Sequence, residues 1–243
     1  MFERQRTVLR AAGGGYLLAG FLLALAVGAA AFVARQDPHR LPRDWEAVLA
    51  QRVEQTGAAV LAGVLLFAAA LAGLILSLAV AARARRLHPT SATLGGLLVA
   101  AGLVALAGVA VWTGVVAPYA ALQYRAATDE LRRHALLMEA HLGEHVAMLG
   151  FWCFLGLAAP GLYFLGRALR GERGWAPDSL KLAAALILLH LPVTLYLAQQ
   201  SLLHQRHVAW LAVLDQLLLW GGLAAACYLA ARWLRRVGRT LPP

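Results

Sequence analysis

Long apolar runs divided by short charged intervals set the pattern of this chain. Six stretches, roughly 12–34, 57–82, 93–118, 146–166, 181–199 and 208–231, are mainly apolar. Each is close to the ~20 residues that cross a bilayer at about 1.5 Å per residue. Leu and Ala dominate them, and apolar and polar positions do not alternate, so each reads as a helix rather than a barrel strand. The pattern predicts an all-α, polytopic membrane protein, a six-transmembrane-helix bundle forming a single membrane domain over 1–243.

Two of the polar intervals are themselves periodic. After Pro42-Arg43-Asp44, apolar residues recur at Trp45, Val48, Leu49 and Val53, and after Asp129 they recur at Leu131, Ala135, Met138 and Leu142. Both intervals predict amphipathic helical extensions leading into the second and fourth spans, with Thr128 or Asp129 capping the later one. Pro160 and Pro192 predict kinks in spans four and five unless neighbouring groups satisfy the freed carbonyls. Gly20, Ala24 and Gly28 in the first span, and Gly102 and Gly108 in the third, are spaced for close helix packing.

Composition sharpens this picture. Hydrophobic residues make up 61% of the chain and charged ones 14%, against roughly 25% charged in a soluble domain. The net charge is +10, and every basic residue but Lys181 is an arginine. Fourteen of the 22 basic residues fall in the N-terminal segment, 83–92, 167–181 and the tail. The three remaining intervals hold eight, although together they are longer. The positive-inside rule then predicts cytoplasmic N- and C-termini and helical extensions on the outer side. The excess of arginine is accounted for by topology and anionic lipid, so nucleic acid is not an expected partner. The basic N-terminus and the apolar run 16–34 are too long for a secretory signal and read as a retained first helix.

Candidate chemistry is sparse. Cys153 and Cys227 lie in apolar runs outside any metal or redox spacing and read as small buried hydrophobes. Gly13-Gly14-Gly15 lacks the Lys-Ser/Thr of a phosphate loop. Of eight histidines, six (His39, His134, His141, His145, His204 and His207) fall on the predicted outer side. His134, His141 and His145 share one helical face, flanked by Glu144, and His204 and His207 lie three apart at the mouth of the last hairpin. His134, His141, Glu144, His145, His204 and His207 therefore form a candidate set for a metal ion or haem; the plain alternative is a solvated polar cap. His190 falls near the middle of span five, with Thr194 following on its stripe, and Asp215 falls about seven residues into span six. Intramembrane ionisable residues mark function by default. The plain alternatives are a neutral imidazole on a neighbouring carbonyl and one packed polar group.

The entry Arg6-Thr7-Val8-Leu9-Arg10, followed by Gly13-Gly14-Gly15-Tyr16-Leu17-Leu18, and the close of span four, Gly161-Leu162-Tyr163-Phe164-Leu165-Gly166, resemble small six-helix bacterial inner-membrane proteins of unknown function. The resemblance is mainly architectural. It implies a bacterial plasma membrane and transfers no active site. Three functions are compatible with the sequence. The first is an accessory, scaffold or sensor subunit without its own catalysis, partnered by the bilayer and by other membrane subunits or a second copy. The second is a metal- or haem-binding redox protein using the outer histidines. The third is a proton-coupled small-solute transporter using His190 and Asp215.

Overall fold

The computed structural model describes residues 2–34, 45–171, 176–204 and 209–240. Among these the chain is helical, with no strands, and six helices are long and apolar enough to cross a membrane. In chain order the elements are α1 (Phe2–Ala34), α2 (Trp45–Glu54), α3 (Thr56–Ala84), α4 (Pro89–Val111), a π-turn (Trp112–Val116), α5 (Ala117–Ala126), α6 (Glu130–Ala168), α7 (Ala176–His204) and α8 (Ala209–Thr240).

The six long helices form a closed ring. Each packs against its neighbours in the order α1, α3, α4, α6, α7, α8, and α8 returns to α1. Contacts from Gly238 to Leu9 and from Gly15 to Ala231 show α1 and α8 to be antiparallel. One end of the ring carries the start of α1 and the end of α8; the other, called distal below, carries α2, the α5–α6 connection, the end of α7 and the start of α8. The outward faces hold large apolar side chains such as Leu17, Leu61, Ile75, Leu97, Val104 and Leu182, each more than half exposed. An apolar cavity lies inside the ring, and all six long helices contribute to its lining.

Glycine brings the helix backbones together. A Cβ on Gly63 would lie 2.3 Å from the Gly114 Cα, and one on Gly161 would lie 2.8 Å from the Val99 backbone nitrogen. Gly95 meets the Gly161 carbonyl at the same crossing, and Gly102 meets that of Phe154. Small residues at these points let α3, α4 and α6 approach to backbone contact, the packing available where apolar burial gives no preference for helix over lipid. Gly20, Gly28 and Gly108 do not take part, because open space surrounds each of their Cα atoms. In α1 the packing glycine is Gly15.

The amphipathic extensions differ from each other. The one after Asp129 is continuous with the fourth span as α6, and Asp129 caps it, accepting from the Leu131 and Arg132 backbone N–H groups at 3.3 Å. The earlier one, α2, is separated from α3 at Gln55 and rests on a small core of Leu49, Ala121 and Ala140. Pro160 and Pro192 lie inside uninterrupted helices. The third span extends beyond its expected end, through a π-turn into α5. Pro118 explains the turn: it offers no N–H to the Gly114 carbonyl, and a wider turn relieves the clash of its ring with that carbonyl. Helix α6 ends before Gly171, whose φ of 95° favours glycine. Cys153 faces outward rather than into the core.

Gly161→Val drives a branched side chain into the α4 backbone, and overpacking of this kind costs about 1–3 kcal/mol. Thermal unfolding in detergent, followed by size exclusion, is expected to show an earlier loss of the monodisperse protein for Gly161→Val. Gly108→Ala, which points into open space, is expected to unfold at the wild-type temperature or slightly above it.

Candidate functional site: a buried histidine–aspartate pair

Helix α7 is an Ala- and Leu-rich rod without glycine, and α8 crosses beside it. Their packing brings together two residues 25 apart in the sequence. His190 Nδ1 lies 2.8 Å from Asp215 Oδ2, with only 4% and 6% of the two side chains exposed. The carboxylate oxygen sits off the N–H axis, which leaves Nδ1 without an aligned acceptor. The contact is thus electrostatic first, and a small rotation of the ring would align a hydrogen bond. On the other edge of the ring, Nε2 lies 3.2 Å from Thr194 Oγ1, one turn further along α7. Phe151 of α6 packs edge-on against the imidazole, with ring centroids 6.1 Å apart.

This geometry orders three protic groups as carboxylate, imidazole, hydroxyl. Nucleophilic triads share that order, but they also need N–H donors for an oxyanion. Thr194 lies within continuous helix, where backbone N–H groups are already committed to the i−4 carbonyls. The arrangement is therefore suited to holding and passing protons rather than to attacking a carbonyl. A relay between Asp215 and His190 needs no bridging water, because the two groups touch.

Along the helices the two residues stand differently. His190 is at the middle of α7, about 21 Å from either end, and Asp215 is about 9 Å along α8 from Ala209, at about 1.5 Å per residue.

The outer histidines are placed differently. His134 and His145 are exposed. The rings of His141 and His145 stack at 4.5 Å, and His145 Nδ1 lies 2.8 Å from the His141 carbonyl oxygen. His204 ends α7 with its side chain outside the described residues, and His207 lies outside them altogether. No group of three His, Cys, Asp or Glu side chains close enough to hold a metal ion occurs among the described residues.

Glu144 belongs to another arrangement. Its Oε1 accepts from the Arg52 guanidinium and, at 2.9 Å, from the Trp112 indole N–H. The node joins α2, the π-turn and α6. Gly143 makes room for it, since a Cβ there would fall inside the Trp112 ring. Nothing in the spacing of Arg52, Trp112 and Glu144 signals this meeting.

Compared with protein-family models, curated proteins and solved structures, the chain shows no match. Fold and site together define an all-helical chain with six membrane-length helices and a buried His–Asp pair.

His190→Leu leaves the Asp215 carboxylate buried without its partner, which typically costs about 3–5 kcal/mol. The double variant His190→Leu/Asp215→Leu is expected to lose less than the sum of the two single variants. Denaturant titrations in mixed micelles of the four proteins measure this, and additive losses would contradict the pairing. At the distal node both charges are partly exposed, so Glu144→Ala is expected to cost about 1 kcal/mol or less. Its readout is faster hydrogen exchange confined to α2.

Proposed function

We propose that this chain is a multi-pass protein of a bacterial plasma membrane, with both termini cytoplasmic, and that it works as a proton-coupled carrier. The observation that supports this reading is the 2.8 Å contact between His190 and Asp215 inside the helix ring. Ionisable groups at such depth are expensive and are associated with proton relays and substrate pathways. A pair stores one proton at lower cost than either group alone, since the imidazolium and the carboxylate neutralise each other. Thr194 gives the proton a third station on the other edge of the ring.

The orientation rests on the arginine distribution. The outward-facing leucines and valines suit contact with lipid. A scaffold role, with other membrane subunits or a second copy as partners, needs no such pair. A metal or haem role needs ligands that include His204 and His207.

Proteoliposomes carrying an internal pH-sensitive dye test the reading. A panel of amino acids, weak acids, weak bases and lipid-soluble alcohols and phenols is added under an imposed pH gradient. One class of solute is expected to cause proton movement in the wild type, with at least a tenfold loss in Asp215→Asn and in His190→Gln. Equal proton movement in all three proteins, or none with any solute, would contradict the reading.

A further inference from the structure

A cleft between α7 and α8 reaches the His190–Asp215 pair from outside the ring. It is a small cleft, open on one side. Its walls are Leu186, Leu189, Val193, Leu211, Leu214 and Leu218, and its polar residues are His190 and Asp215. Leu189, Leu214 and Leu218 are 53%, 43% and 43% exposed, so the rim of the cleft forms part of the outward apolar surface. On the other side, Phe151 packs edge-on with His190 and lies 6.2 Å from Trp220, which lines the cavity within the ring.

From this geometry we propose that the α7–α8 cleft binds a lipid-soluble phenol or quinol, which enters sideways from the bilayer with its hydroxyl at His190 and Asp215. The proposal rests on the carrier reading and names its substrate class. Four observations select that class. The walls are apolar, so the ligand has an apolar body. The two polar residues lie together, so it carries one compact polar head. The pair lies about 9 Å along α8 and about 21 Å along α7 from their distal ends, at about 1.5 Å per residue, too far along either helix for a phosphodiester headgroup held at the membrane surface. A carboxylate in the cleft repels an anionic head. Between the remaining hydroxyl classes, an alkanol hydroxyl is a far weaker acid than a phenolic one, whose pKa of about 10 makes it the better proton donor to an imidazole. The hydroxyl donates to the Asp215 carboxylate, and the imidazole stands ready to take the same proton. In that transfer the phenolic O–H breaks and an imidazole N–H forms, leaving a phenolate beside an imidazolium.

The test uses the full chain in lipid nanodiscs and a phenol with a ten-carbon tail bearing a diazirine, with labelled peptides identified by mass spectrometry. Labelling is expected on 186–193 and 211–218, competed away by the same phenol without the diazirine. Leu189→Trp and Leu214→Trp, which fill the cleft, are expected to lower it at least tenfold. Leu182→Trp, on the same helix with its side chain on the outer surface, is expected to leave it unchanged. Asp215→Asn is expected to weaken competition by at least tenfold, and the methyl ether of the phenol is expected to compete poorly. Labelling spread evenly over the outward surface, or insensitive to both cleft-filling variants, would overturn the proposal. So would equal competition by the ether. If the cleft is not labelled while a water-soluble solute drives Asp215-dependent proton movement, the ligand class fails and the carrier reading stands. If the cleft is labelled as expected while proton movement is independent of Asp215, the binding site stands and the carrier reading fails.

Discussion

A carboxylate and an imidazole held against each other, away from water, constrain how α7 packs on α8. Asp215 on α8 has His190 Nδ1 at 2.8 Å, and the pair fixes the register of the last helical hairpin. The packing of Gly222 against Leu186 two turns away follows the same register. Leucine surfaces slide past one another at little cost; a buried protic pair does not, because a shift by one residue would leave both groups facing hydrocarbon. The α3–α4 and α4–α6 crossings are set by a different device, backbone contact at Gly63, Gly95, Gly102, Gly114 and Gly161. The bundle thus combines a small-residue half, α3, α4 and α6, with a half pinned by polarity, α7 and α8.

Much of the fold could be read from hydropathy, because backbone groups in an apolar medium must be satisfied within their own helix. All six expected spans correspond to long helices, and Asp129 caps α6 as its position suggested. Packing was harder to read. Gly20, Gly28 and Gly108 have the same small-residue spacing as the glycines that pack, yet they face open space. Spacing alone does not say which side of a uniformly apolar helix faces a neighbour. The π-turn at Trp112–Val116 left only Pro118 as a trace in the sequence, and it is this turn that brings Trp112 over Gly143 to Glu144.

The two residues of the candidate site were legible as partners in one function, but not as a direct contact. His190 and Asp215 each stand out as ionisable groups in apolar runs. Their direct meeting was hidden because the stretch expected to hold the turn between spans five and six, Gln199 to His207, contains neither Gly nor Pro to mark it. Without the turn, the relative depth of the two residues has no reference. Glu144 is the converse case. Its helical face places it beside three histidines, but a guanidinium and an indole N–H from two other elements are its partners. Local periodicity shows which residues share a face; long-range packing decides which partner that face meets.

The most direct test of the account is the distance between His190 and Asp215 in a bilayer. Solid-state NMR on protein with 15N-labelled histidine and 13C-labelled aspartate, reconstituted in lipid, measures the dipolar coupling between the His190 ring nitrogen and the Asp215 carboxyl carbon. The account predicts a strong coupling, consistent with the 2.8 Å contact between Nδ1 and Oδ2, and its loss in Asp215→Asn prepared with the same aspartate label. A wild-type spectrum without that coupling would mean that the two side chains do not meet, and the proton-carrying role assigned to them would be wrong.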